Sequence, residues 1–128
     1  MKRLGLTAVL VLVAASLAAV ALASRKPDHD EAVKITTAFK TTTKAGLNKI
    51  AYQFNVVNIR VSTVNPRFAR ANFVAKPKYR NRFQAGYGVA KINASRSKWI
   101  ALDVGSAFVG CTKAVPRNVR ADLKLVCH

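Results

Sequence analysis

The chain has 128 residues, and its 22 Lys and Arg against 5 Asp and Glu give a formal net charge of +17. This length leaves room for one domain. With five acids and two histidines, the chain offers few groups for acid-base catalysis, which normally needs two partners of different pKa, so a non-catalytic protein is favoured over an enzyme.

Residues 1–23 have the pattern of an export signal. Lys2 and Arg3 precede an uncharged run, rich in Ala, Val and Leu, that ends at Ala23. The small residues at positions 21 and 23 suit signal-peptidase cleavage before Ser24. An uncleaved membrane anchor is the alternative, since about twenty helical residues reach across a bilayer. Either way we expect a domain that is secreted or lies on the outer side of the cytoplasmic membrane, and the other 105 residues carry +15.

Residues 24–30, SRKPDHD, read as a polar linker before a single domain at residues 31–128. Pro27 is followed by acids up to Glu31, which indicates the first turn of a helix. Apolar or small residues then recur at three- and four-residue steps, as on one face of an amphipathic helix: Ala32, Ile35, Ala38, Phe39 and Thr42. Gly46 is the expected end of this helix.

Two strands of a hairpin are predicted next. Residues 57–64 and 69–76 each alternate between apolar and polar side chains, which is the period of a half-buried strand. If the two strands pair in register, Arg60, Arg70 and Lys76 share the solvent face of the sheet. Such residues commonly keep a sheet soluble.

A third and a fourth strand are predicted within residues 83–93 and 98–104. Gly86 and Gly88 in the third indicate a bulge or a close approach of two backbones. A nucleotide-binding loop is excluded because no third glycine follows and no helix begins there. Asp103 on the fourth strand is expected to pair with a Lys or Arg of the neighbouring strand.

The last predicted element is a helix entered through Pro116. Its apolar face is predicted to consist of Val115, Val119, Leu123 and Val126. Its basic face is predicted to consist of Arg117, Arg120 and Lys124. Cys111 and Cys127 are expected to form a disulfide, because two cysteines of an exported chain usually pair. A catalytic thiol is disfavoured, since both histidines lie near the ends of the predicted domain.

Two groups of basic residues are candidates for an anion-binding site. The segment KPKYRNR at residues 76–82 is the densest positive run and includes one aromatic ring, Tyr79. The basic face of the last helix is the other group. An ordinary solvated surface is the alternative for both. The candidate residues are Lys76, Lys78, Arg80, Arg82, Arg117, Arg120 and Lys124.

The C-terminal half resembles a recurring kind of small exported bacterial protein of uncharacterised function. The resemblance covers residues 56–127 and follows a pattern W...GS...C...VP...DL...C, preceded by a stretch RVST...P.FA.A. The matching residues are Arg60 to Thr63, Pro66, Phe68, Ala69, Ala71, Trp99, Gly105, Ser106, Cys111, Val115, Pro116, Asp122, Leu123 and Cys127. The resemblance implies an exported, disulfide-closed fold and carries no activity or site residue with it.

The sequence thus predicts an α+β domain with an N-terminal helix, a four-stranded antiparallel meander and a C-terminal helix, which is cystatin-like or NTF2-like by element order. The favoured function is binding of a polyanion, such as a wall polymer, an anionic lipid or nucleic acid. The alternative is an envelope accessory protein that binds another protein through its sheet, and a small secreted hydrolase is third. No cofactor, metal or small-molecule substrate is indicated, and the oligomeric state is left open.

Overall fold

A computed structural model of the protein describes residues 24–127, so the expected leader, residues 1–23, lies outside the described part. The helices are α1, His29–Thr41, and α2, Arg117–Asp122. The strands are β1, Phe54–Val61; β2, Phe68–Ala75; β3, Gly86–Ile92; and β4, Trp99–Gly105. Consecutive strands pair antiparallel in the order β1-β2-β3-β4. The predicted α+β fold, with a meander between two helices, is confirmed.

Helix α1 begins with a capping box. The Asp28 carboxylate accepts a hydrogen bond from the Glu31 backbone N–H at 2.8 Å, and the Glu31 carboxylate accepts one from the Asp28 N–H at 3.1 Å. Arg25 pairs its backbone with Val61 of β1 and its side chain with Glu31. The expected linker, residues 24–30, therefore includes the first two residues of α1, and its Arg25 is hydrogen-bonded to both α1 and β1.

Helix α1 ends at Thr41, before the expected stop at Gly46. Thr42 is already extended, with ψ of 141°. The chain then forms two short 3-10 turns, Lys44–Lys49 and Ala51–Gln53, before it enters β1. Gly46, with φ of 70°, lies inside the first turn, where it helps the chain to bend back toward the sheet.

The main core lies between α1 and one face of the sheet. Phe39 of α1 contacts Phe73 of β2 edge to face, with ring centroids 5.1 Å apart. Gly88 lies directly beneath, and a Cβ at this position would come within 2.5 Å of the Phe39 ring. A Cβ at Gly86 would meet the Gly105 carbonyl oxygen at 2.5 Å. Gly86 therefore marks a close approach of two backbones, as predicted, whereas Gly88 leaves room for the Phe39 and Phe73 rings.

Bulges break the simple alternation of the strands. The pairing of β1 with β2 shifts between Val57 and Arg60, and Asn58 has φ of 51°. As a result Val56 and Ile59 pack on the main core, whereas strict alternation would have placed Val57 and Ile59 on one face. A second shift, opposite Val89 and Ala90, affects β4 in the same way.

The other face of the sheet is covered by residues 106–127, which we call the C-terminal segment. A second apolar cluster forms there: Phe68, Val89, Val109, Val115, Val119, Leu123 and Leu125. Val126, predicted to belong to the apolar face of the last helix, is 65% exposed. The helix ends at Asp122 and Lys124 adopts φ of 55°, so the chain turns and buries Leu125 instead. The molecule has three layers, with the sheet in the middle.

Cys111 and Cys127 form a disulfide, as predicted, with their Cα atoms 5.5 Å apart. The bond closes the C-terminal segment on itself, next to the second apolar cluster. A disulfide indicates an oxidising, extracytoplasmic environment. In the part of the chain from residue 24 to residue 127, no helix has the length and apolarity needed to span a bilayer.

Candidate anion-binding site

The positive charge of the protein has few acidic partners. Residues 32–102 include fourteen Lys and Arg and not one Asp or Glu. Within residues 24–127, the only ion pair joins Arg25 and Glu31, at 2.8 Å. Most cations of the described chain therefore face solvent or neutral groups, and a positive potential extends over much of the surface.

Asp103, one of the two acids that follow residue 31, holds a loop in place. Asp103 accepts hydrogen bonds from the backbone N–H groups of Val104, at 3.0 Å, and Gly110, at 2.9 Å. The expected pairing of Asp103 with a neighbouring Lys or Arg is therefore wrong. Because backbone N–H groups of the following loop were available as donors, the carboxylate needs no cation to be satisfied.

Seven basic residues converge at one end of the sheet, where β1 and β3 begin and β2 ends. Lys40 comes from the last turn of α1, and the others come from two connections, residues 42–53 and 76–85. The connections are joined by a hydrogen bond from the Lys76 N–H to the Gln53 carbonyl at 2.8 Å. We call this region the basic end. Its basic residues are Lys40, Lys44, Lys49, Lys76, Lys78, Arg80 and Arg82.

Lys40 shows how crowded the cations are at the basic end. Its ammonium donates to the carbonyl oxygens of Ala51, at 2.9 Å, and Phe54, at 2.7 Å, and lies 5.0 Å from the centroid of the Phe54 ring. Burial and, secondarily, the positive charge of Lys76 lower the pKa of Lys40 below its usual value. The connections thus bring like charges close enough to interact, with no acid between them in sequence.

Two tyrosines lie among these cations. Tyr79 meets Tyr52 edge to face, with ring centroids 5.4 Å apart, and Tyr52 is 57% exposed. The Lys78 ammonium lies 5.8 Å from the centroid of the Tyr79 ring. Sequence reasoning found only Tyr79, because Tyr52 belongs to the other connection and reaches this place only through the pairing of β1 with β2.

The basic end contains four of the seven candidate residues. Lys78, Arg80 and Arg82 are exposed and Lys76 is half-buried. A short 3-10 turn, Pro77–Tyr79, shapes the segment. Beside Arg82 the surface has a crevice of about 310 Å³, lined mainly by apolar side chains that include Phe73 and Phe83. The predicted segment 76–82 is therefore a structured part of a larger positive surface.

The other three candidates do not form one helical stripe. Arg117 is exposed at the start of α2, whereas Lys124 lies beyond its end. Arg120 is half-buried and donates to the carbonyl oxygens of Val115, at 2.9 Å, and Thr112, at 2.6 Å. These bonds fix α2 to the loop before it. Periodicity alone could not show that the helix ends at Asp122 and that Arg120 turns toward carbonyl groups.

Comparison with known proteins gives no assignment for this arrangement. No family model matches the chain, and no curated protein or solved structure matches it. The likeness to cystatin-like or NTF2-like folds stays an analogy of element order. The function must therefore be inferred from the residues and charges of the chain itself.

Proposed function

We propose that the protein is an exported, non-catalytic protein that binds a polyanion, and that the basic end is its binding surface. The observation that carries this proposal is the convergence of seven cations and two tyrosines in a region of the sequence without an acid. These seven cations belong to a domain whose net charge already exceeds the value of about 2–8 that solubility alone asks for. Their number and their mutual proximity cost stability through repulsion, which a bound polyanion would relieve.

Binding at this surface would be electrostatic and independent of sequence. Each cation that neutralises a phosphate, sulfate or carboxylate of the polymer releases a condensed counterion, and this release drives association. Tyr52 and Tyr79 add aromatic rings on which a base of a nucleic acid can stack. Lysine suits this role because its ammonium is a mobile point charge that follows an irregular polymer.

The proposed location is outside the cytoplasmic membrane, either secreted or on the outer side of that membrane. The disulfide supports it, and so does the leader-like composition of residues 1–23. The polyanions available there are wall polymers, anionic lipid head groups and released nucleic acid. We favour these over an envelope protein bound through the sheet, because α1 packs on the apolar side chains of one face and the C-terminal segment packs on those of the other.

The test compares two variants that each lose four positive charges. One changes Lys76, Lys78, Arg80 and Arg82 to Gln, all at the basic end. The control changes Lys26, Lys34, Lys98 and Lys113 to Gln, which are exposed residues outside the basic end. Binding to heparin and to a fluorescent single-stranded oligonucleotide is measured between low and high salt. The wild type should weaken steeply with salt, and the first variant should lose at least about tenfold more affinity than the control.

Two outcomes would contradict the proposal. Equal losses in both variants would mean that net charge alone, rather than the basic end, is responsible. Retention of an envelope ligand at high salt would indicate the protein partner instead. Changing Tyr52 to Ala separates the polyanion classes, because a stacking contribution of about 1–3 kcal/mol per base affects the oligonucleotide and leaves heparin binding unchanged.

A further inference from the structure

A cleft on the sheet face opposite α1 is lined by a second group of cations. It has a volume of about 530 Å³ and lies between β1, β2, the end of α2 and the start of the described chain. We call it the outer-face cleft. Its lining residues are Ser24, Asn58, Arg60, Arg70, Asn72, Asp122, Leu123 and Lys124.

Two arginines of the outer-face cleft lie directly opposite each other. Arg60 of β1 and Arg70 of β2 are cross-strand partners. Like charges in this position destabilise a sheet. Neither arginine forms an ion pair with an acid within residues 24–127, where the ion pair found joins Arg25 and Glu31. The pair thus concentrates two positive charges at a cost in stability.

Both guanidinium groups are held in fixed positions by neutral partners. Arg70 lies 4.6 Å from the centroid of the Tyr87 ring, and its Nη1 donates to the carbonyl oxygens of Leu123, at 3.2 Å, and Lys124, at 2.8 Å. Arg60 donates from Nε to the Ser24 hydroxyl at 3.2 Å and from Nη2 to the Ser24 carbonyl oxygen. Side chains already ordered in this way lose little entropy when a ligand binds.

Asp122 is the acid of the outer-face cleft, and other groups already bind it. Its Oδ2 accepts hydrogen bonds from the Ser62 hydroxyl at 2.7 Å and the Thr63 N–H at 2.9 Å. Ser62 is fully buried, so these bonds fix the carboxylate to the turn between β1 and β2. Three cations against one carboxylate leave the cleft with a formal charge of +2.

We propose that the outer-face cleft binds a small molecule or head group that carries a phosphate ester. A guanidinium has five N–H donors in a planar fork, and the Arg70 bonds above use only Nη1. Two neighbouring forks match the several oxygens and the charge of a phosphate better than a single carboxylate. The amides of Asn58 and Asn72 can donate to the remainder of the ligand. The volume is within the range of about 300–1,000 Å³ that is usual for small-ligand sites.

This site is separate from the basic end, because Arg60 and Arg70 lie toward the opposite end of the hairpin from Lys76. The experiment uses the full domain with its disulfide intact and the probes glycerol phosphate and inorganic pyrophosphate, measured by calorimetry and by NMR shifts. Arg60→Gln should weaken binding about tenfold or more, as expected for lost hydrogen bonds to a charged group. Arg67→Gln, in the neighbouring turn and outside the cleft, is the matched control.

Arg70→Lys keeps the positive charge but removes the planar guanidinium. It should lower the affinity for both probes, while the far-UV circular dichroism spectrum shows an intact fold. The variant with four Gln at the basic end should bind glycerol phosphate as the wild type does, so the two proposals can fail independently. Equal binding by Arg60→Gln and wild type, or no binding by wild type at millimolar probe, would overturn the inference. Arg60-dependent binding to phosphatidylglycerol vesicles would identify the ligand as a lipid head group. Binding to soluble phosphate esters alone would identify it as a free metabolite.

Discussion

Glu31 joins Arg25 and Asp28 to the first turn of α1. Its carboxylate accepts hydrogen bonds at 2.8 Å from both terminal nitrogens of Arg25 and closes the capping box with Asp28. The bond from Arg25 is the main cause that lowers the pKa of Glu31, and the bond from the Asp28 backbone acts in the same direction. The folded state therefore favours the ionised form, and folding should depend on pH through this residue.

Glu31→Gln should lower the free energy of unfolding by about 0.5–1 kcal/mol at pH 7, since Gln still closes the capping box but the ion pair is lost. The folded pKa lies below the unfolded value of about 4.3, so this stabilisation is present above that value and is lost as the pH falls through the folded pKa. Urea unfolding at neutral and acid pH measures it. A difference between the proteins that persists below about pH 2 would contradict this assignment.

Apart from the disulfide, individual contacts were predictable only where their partners are close in sequence. The helix start at Asp28 and Glu31 follows from local residues and appears as a capping box. Tyr52, in contrast, reaches Tyr79 through strand pairing. Asp103 binds a loop N–H that no local pattern indicates. Non-local contacts of this kind decide the details of both candidate sites.

At the level of elements, α2 depends on its surroundings. It has six residues, and isolated helices of this length do not persist in water. Its end is held by the Asp122 bonds to Ser62 and Thr63, by Arg70, and by the disulfide that closes the segment. The C-terminal segment is therefore expected to open as one unit, with the disulfide as its strongest restraint.

Replacing both cysteines by Ser should lower the free energy of unfolding by about 3 kcal/mol, since the disulfide closes a loop of about fifteen residues. Hydrogen exchange should show the loss of protection first in the C-terminal segment, while the pairs between β1 and β2 stay protected. Chemical denaturation of the oxidised wild type and the double variant gives the difference. Equal midpoints would mean that packing of the second apolar cluster, rather than the disulfide, holds the segment.

Periodicity predicted which helices and strands form, but not the positions at which their apolar side chains switch from one side of the element to the other. The apolar stripe of α1 and the buried side of β2 follow their expected spacing. The bulge at Asn58 moved β1 out of simple alternation, because a bulge arises from pairing with a neighbour and from sheet twist. Val126 was misplaced because the helix stops early and Leu125 fits against Val89 and its neighbours.

At the level of the whole molecule, the charge is large for the size of the fold. Residues 24–128 carry 20 Lys and Arg against 5 acids, and solubility alone asks for a charge of about 2–8 in a small domain. Self-repulsion should therefore be a measurable part of the free energy of folding at low ionic strength. Composition alone showed this excess, but only the fold shows that seven of the cations lie at the basic end and that three more line the outer-face cleft.

The melting temperature should rise when NaCl is increased from about 10 to 150 mM, because the Debye length falls from about 30 to 8 Å and the repulsion is screened. The variant with four Gln at the basic end should show a smaller rise, since part of the repulsion has been removed. Circular dichroism melts at each salt concentration measure both effects, with sucrose as a control for non-ionic stabilisation. A flat or falling melting temperature in the wild type would contradict the prediction.

The position of the C-terminal segment also affects how the chain folds during its synthesis. Phe68 and Val89 pack in the second apolar cluster against side chains of residues 109–125, which leave the ribosome after all four strands. A nascent chain that has completed all four strands still exposes one apolar side of its sheet. Any product that stops before Val109 would keep that side open and would be prone to aggregate or be degraded. Quality control of this protein should therefore act on chains that lack residues 109–125.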